Sequence, residues 1–268
     1  MRKLPVYLVL GLAATTVLFP VYYAFAGSVM VPGDLSPPAL FPRNGIRPGN
    51  FGEVLSAVPL ARQYANSAIQ AGLITVSQLF TSVLAAYAFV YLRLPRFVFW
   101  GFLATLMVPV ESIIIPNYLR ISDWGLARGP GTYLGLVLPF LASAFGTFLL
   151  RQSFRQFPAE LRDAAAMDGA GHLRFLFRIL VPLSKPAIAA VGVYVFLTAW
   201  NQFLWPLLLV RDPSYQTLQI GVSQLNDAEA ASPGLILAGV VLSLLPTLAI
   251  VIFGQRHIVR GLTAGAVQ

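Results

Sequence analysis

Six long apolar runs, parted by short polar or proline-rich stretches, dominate the hydropathy pattern of the chain. They cover about residues 5–26, 67–92, 97–119, 131–150, 187–210 and 233–253. Runs of about 18 or more apolar residues with few charges predict membrane helices, because 1.5 Å of rise per residue then spans a hydrocarbon core of about 30 Å. Pro20, Pro109, Pro139, Pro206 and Pro246 fall inside these runs. Such prolines break soluble helices but are tolerated in membrane spans, where neighbouring side chains take up the freed backbone groups. The pattern predicts an all-α polytopic membrane protein of six transmembrane helices, forming one membrane domain over residues 1–268.

The first run has some features of a signal peptide, with Met1-Arg2-Lys3 ahead of it and Ala24-Phe25-Ala26 at its end. Its apolar stretch is longer than the 7–15 residues of a typical signal core, and Tyr22, Tyr23 and Phe25 crowd its end as interfacial aromatics do. An uncleaved first span is the expectation.

Composition closes off several functions. The 268 residues are 57% hydrophobic and 10% charged, with a mean hydropathy of +0.74. Soluble domains carry about 25% charged residues, so a soluble enzyme is excluded. There is no cysteine, hence no disulfide frame, zinc–thiolate site or thiol nucleophile. The two lysines, Lys3 and Lys185, do not close a phosphate-binding G-x-x-x-x-G-K-[ST] loop, so the chain does not hold ATP in one. The net charge of +8 is largely a topology signal. With the N-terminus inside, 12 of the 18 basic residues lie in inner segments and 6 (Arg43, Arg47, Arg62, Arg120, Arg128 and Arg211) in outer ones. The positive-inside rule then predicts cytoplasmic N- and C-termini.

The inner connection over 151–186 is far longer than adjacent spans require, and long connections in compact proteins tend to be functional. Pro158 suits a first helical turn, Glu160 and Asp163 favour its positive end, and Gly169 and Gly171 stop it. A second helix from about His172 to Leu180 would carry Leu173, Leu176, Phe177 and Leu180 on one face and end at Pro182. The small residues Ala164, Ala165 and Ala166 would let another surface approach closely.

Asp163-Ala164-Ala165, then Gly169, Ile179 and Pro182, resembles the cytoplasmic E-A-A-x-x-x-G-x9-I-x-L-P loop of ABC importer permeases, with Asp163 in place of Glu and Val181 in place of Leu. Ala199-Trp200-Asn201-Gln202-Phe203-Leu204-Trp205-Pro206-Leu207, and the tail from Gln255 to Val267, are similar to permeases of the maltose-permease G-subunit type. Met107-Val108-Pro109-Val110-Glu111, Trp200-Asn201-Gln202 and Pro182-Leu183-Ser184-Lys185 look most like the glycerol-3-phosphate or glycerophosphodiester importers of that group. The resemblance implies a multi-pass protein of the bacterial inner membrane that pairs with a homologous permease, two ATPase subunits and an extracytoplasmic solute-binding protein. ATP and Mg would be bound by the partners, with no cofactor on this chain. It further implies that Asp163, Ala164, Ala165, Met167, Asp168, Gly169, Ile179 and Pro182 couple the ATPases to the spans, and that the cytoplasmic tail 254–268 reaches toward them with its end, Arg260 to Gln268.

Other candidates are weighed against plainer readings. Glu111 is the acid set deepest in an apolar run, and intramembrane ionisable groups are functional candidates because each is costly there. A structural hydrogen bond to a neighbouring helix, or to backbone freed by Pro109 or Pro116, is the reading that the flanking prolines favour. Trp200, Asn201, Gln202 and Trp205 combine neutral donors and acceptors with indole faces, suited to a translocation path or to helix–helix adhesion. His172 and His257 have no partner at ligand spacing, so neither a metal site nor a catalytic site is expected. Alternatives are an ABC permease for another solute class and an ion-coupled secondary transporter built around Glu111.

Overall fold

The computed structural model describes residues 4–35, 37–92, 94–227 and 232–263. Among these the structure is helical, with no β-structure beyond the isolated bridges Met30–Ile46 and Leu35–Pro38. In chain order the helices are α1 (Leu4–Ser28), α2 (Pro32–Leu35), α3 (Gly49–Ala57), α4 (Leu60–Tyr91), α5 (Arg96–Ala104), α6 (Val110–Asp123), α7 (Thr132–Val137) and α8 (Ala144–Phe154). There follow α9 (Ala159–Met167), α10 (His172–Phe175), α11 (Val181–Leu183), α12 (Lys185–Trp200), α13 (Leu204–Leu209), α14 (Leu218–Asp227) and α15 (Pro233–Thr263).

Three helical stretches are long and apolar enough to cross a membrane unbroken: Pro5–Ser28, Leu60–Tyr91 and Pro233–Gly254. Three further pairs reach that length only together, bent by 89° between Arg96–Met107 and Val110–Asp123, by 54° between Gly129–Phe140 and Ala144–Phe154, and by 80° between His172–Leu183 and Lys185–Trp200. The run expected as one helix over 97–119 is therefore two. Pro109 has no N–H and drives the residue before it out of the helical region. Val108 accordingly sits at ψ 114° and Pro109 at ψ 132°.

The chain divides into two compact units, Met1–Tyr64 with Thr217–Pro246, and Ala65–Gln216 with Thr247–Gln268. In the first, α1 is apolar all round and its side chains from Val6 to Leu18 are largely exposed, as suits a helix solvated by hydrocarbon. At its end Gly27 meets α15 so closely that a Cβ there would lie 2.3 Å from Leu237 Cδ1. The connection after α1 is ordered by buried polar groups. The Asp34 carboxylate accepts from the backbone N–H groups of Arg43 (2.9 Å) and Asn44 (3.1 Å) and from Asn44 Nδ2 (2.6 Å). The Asn44 N–H contributes most to holding its pKa below the ordinary value, against desolvation, and the Arg43 N–H, the Asn44 amide and the Arg43 charge add to it. Buried Asn50 donates to the carbonyls of Ser28 (2.9 Å) and Met30 (3.2 Å).

In the second unit, polar side chains of α4 repair a broken span. Pro139 interrupts the fourth run, and Ser143 restarts the chain as α8 by accepting the Gly146 N–H at 3.0 Å. The carbonyls of Phe140 and Leu141, exposed by the break, accept from Gln78 Nε2 (2.8 Å) and Thr81 Oγ1 (2.9 Å). Asn66 similarly donates to the carbonyls of Ser214 (3.0 Å) and Gln216 (2.8 Å), and accepts from Tyr133 Oη (2.6 Å).

Candidate functional site

The segment between α8 and α12 folds as a helix–turn–helix. Pro158, extended at ψ 143°, starts α9, whose first turn carries Glu160. The helix stops at Gly169, which has φ +73°, a left-handed conformation that only glycine adopts without strain. Two bonds close the turn. The Gly169 N–H donates to the Ala166 carbonyl (3.0 Å) and the Ala170 N–H to the Ala165 carbonyl (2.9 Å), the pairing of a Schellman cap.

The faces of α9 differ sharply. Ala165 is buried, while Asp163, Ala164, Ala166, Asp168 and Gly169 are exposed and Met167 is 84% exposed. An unbranched apolar side chain in water beside two bare methyls is a surface suited to burial against another molecule. The acid at Asp163 and the acid at Asp168 flank it.

The second arm departs from the expected stripe. After α10 the chain widens into a π-helical turn over Leu176–Leu180 before α11. This resets the register, so the buried residues are Phe175, Leu176 and Leu180, whereas Leu173 is 67% and Phe177 45% exposed. Nor does Pro182 end the helix. It lies within α11, directly after the widened turn, and the chain breaks at Ser184, from which α12 departs. Ile179 is half-buried and Pro182 exposed.

What fixes this segment to the spans is an aromatic cluster that sequence reasoning missed. Tyr87 and Tyr91, at i and i+4 on the last turns of α4, meet tilted at 5.0 Å between centroids. Phe175 meets Tyr91 edge-on at 5.5 Å and Tyr87 at 6.4 Å. Tyr87 Oη shares a hydrogen bond of 2.7 Å with His172 Nδ1, and the Arg162 guanidinium of α9 lies over the Tyr91 ring at 5.6 Å. The paired tyrosines at the C-terminal end of the second apolar run were the available signal.

The other candidates are distributed. Glu111 is not deep in a continuous helix; it is exposed in the first turn of α6, where the 89° bend begins and a helix N-terminus favours an anion. Trp200, Asn201, Gln202 and Trp205 come together where α12 stops and α13 begins. Trp200 is buried and stacked on Phe196 at 5.9 Å, and Trp205 is buried edge-on to Phe140 at 6.2 Å. Asn201 is exposed and its Nδ2 caps α12 on the Leu197 carbonyl (2.7 Å). Half-buried Gln202 accepts from Gln70 Nε2 of α4 at 2.7 Å. Among the described residues no cluster of His, Asp or Glu could hold a metal ion. The helix of α15 continues beyond 253 to Thr263, but the side chains of the tail motif from Gln255 onward, and residues 264–268 altogether, lie outside the described residues, as does Arg93 of the turn between the second and third runs.

Comparison with known proteins adds to this geometry. Residues 67–263 match the family model described as binding-protein-dependent transport system inner membrane component. A protein of Brucella abortus named sn-glycerol-3-phosphate transport system permease protein is 40% identical, over 96% of this chain and 94% of its own. Proteins of the same name from Rhizobium meliloti and Yersinia enterocolitica are 39% and 37% identical over the same shares. Among solved structures, a chain of a bacterial ABC transporter involved in the import of the acidic polysaccharide alginate superposes with a TM-score of 0.82, over 95% of each chain at 24% identity.

Proposed function

We propose, because the chain belongs to the family of inner-membrane components of binding-protein-dependent transport systems, that it carries a glycerol-phosphate-type solute across the membrane under the drive of partner ATPases. As an ABC importer permease it is a membrane protein of several spans that moves solute and is not itself an enzyme. The observation that carries the coupling reading is the exposed face of α9, tied to α4 by Arg162 over the Tyr91 ring and, through α10, by Phe175 against Tyr91. A partner ATPase gripping Asp163, Ala164, Met167, Asp168 and the Gly169 turn would push on α4 through those rings and on α12 through Ile179 and Pro182. Ala165 would serve by packing beneath.

In this reading each bent pair lies in or beside a span, giving six crossings with both termini cytoplasmic. The 80° bend at Ser184 supports leaving His172–Leu183 at the surface and starting the fifth crossing at α12. The chain pairs with a homologous permease and receives solute from an extracytoplasmic binding protein. ATP and Mg belong to the ATPases. On the path, the amides of Asn201 and Gln202 would meet the solute, Trp200 and Trp205 would shape its wall, and Glu111 would face it from the start of α6. The names of relatives at 36–40% identity over nearly their whole length support sn-glycerol-3-phosphate as the solute.

The test is ATPase activity of the purified complex in lipid, with its binding protein, across glycerol-3-phosphate, glycerophosphocholine, maltose and trehalose. Stimulation by glycerol-3-phosphate and not by the two sugars is the expected result. Stimulation by a sugar alone would reassign the solute. Failure of any ATPase subunit to copurify would overturn the coupling reading and leave an ion-coupled carrier using Glu111.

A further inference from the structure

Where α4 ends, α5 and α8 meet over an open cleft of about 640 Å³ lined by Arg96, Arg151 and Arg155, with Gln152, Phe99 and Trp100 beside them. No carboxylate lines it, and among the described residues none of the three guanidiniums is in an ion pair. The Arg151 guanidinium lies over Phe99, 3.8 Å from the ring centroid, while its Nε is buried without an acceptor. Like charges gathered at a partly desolvated site repel one another unless an anion joins them. Next to the cleft, Trp100 is 66% and Phe97 75% exposed, an aromatic lip of the kind that sits at headgroup level.

We infer that the cleft binds the phosphate of an anionic phospholipid headgroup, whose acyl chains lie over Phe97 and Trp100. Guanidinium forks match phosphate oxygens, and basic pockets between membrane helices on the inner side hold such headgroups. A soluble phosphate ester offers the same oxygens, but it has no use for an apolar aromatic lip. With the orientation proposed above, the lipid belongs to the cytoplasmic leaflet.

The test is native mass spectrometry of the assembled transporter in detergent micelles doped with phosphatidylglycerol or phosphatidylcholine. Arg96 and Arg155 are exposed, so Arg96→Gln with Arg155→Gln spares the packing on Phe99. At about fivefold per surface arginine, the pair is expected to lower phosphatidylglycerol retention by roughly twentyfold. Arg155→Gln alone should lower it about fivefold, and Arg151→Lys should keep most of it. Phosphatidylcholine should not be retained, and millimolar inorganic phosphate should not displace the lipid. Equal retention of both lipids, or retention unchanged in the variants, would overturn the inference. Displacement by inorganic phosphate would overturn the lipid as occupant and assign the cleft to a soluble phosphate ester.

Discussion

The turn around Asp34 and the turn at Gly169 are both compact connections outside the long helices, and they are held in opposite ways. At Asp34 a buried carboxylate gathers two backbone N–H groups and an amide, so the loop is held together by its own polar groups. At Gly169 the backbone is capped, but cohesion comes from rings on α4, and the opposite face of α9 stays open with Met167 in solvent. A loop held together in this way needs no partner to keep its shape. A segment fixed on one side and bare on the other leaves a surface free for one.

That contrast can be broken at either end. The largest effect is expected from Phe175→Ala, which empties a buried ring site at a cost of about 3–5 kcal/mol. Hydrogen exchange should then rise over residues 159–183 and stay unchanged around Asp34. Next, Asp34→Ala should lower the melting temperature of the purified chain by several degrees and raise exchange at the Arg43 and Asn44 amides, leaving α9 protected. The same carboxylate sets a pH window. Because its pKa is lowered on folding, its contribution is present above the ordinary carboxyl value near 3.8 and disappears as pH falls through the lower folded value. A melting curve against pH should show this loss, and Asp34→Asn should remove it. Tyr87→Phe deletes only the bond to His172 and should cost about 1 kcal/mol, read as modestly faster exchange in α10. Least of all, Glu53→Gln breaks the exposed Arg47–Glu53 pair (2.5 Å) and should change stability by less than about 1 kcal/mol.

Hydropathy made the long helices legible, since α1, α4 and α15 needed only length and apolar composition. It could not show the bends, because Pro109 and Pro139 permit a break without dictating its angle. Which way each broken pair turns depends on side chains elsewhere in the chain, such as Gln78 and Thr81 taking the carbonyls of Phe140 and Leu141. The Gly169 turn was readable because a left-handed cap asks for glycine directly. The stripe of the second arm was misread because a π-helical turn shifts the register by one residue, and no residue over Leu176–Leu180 announces it. Tyr87, Tyr91, His172 and Phe175 each looked ordinary, and their meaning lies in contacts between residues far apart along the chain, as with Tyr87 and His172, 85 positions away.

The central claim is that α9 and its Gly169 turn transmit ATPase motion to the spans. Its most direct test is solute-stimulated ATPase activity of the assembled complex carrying Gly169→Pro, with Gly169→Ala beside it. Proline fixes φ near −65° and removes the N–H bonded to Ala166, so it cannot adopt the native turn at φ +73°. The account predicts that Gly169→Pro assembles with its partners but loses stimulation, and that Gly169→Ala, strained yet with open space for its methyl, keeps part of it. Full stimulation with Gly169→Pro would contradict the account.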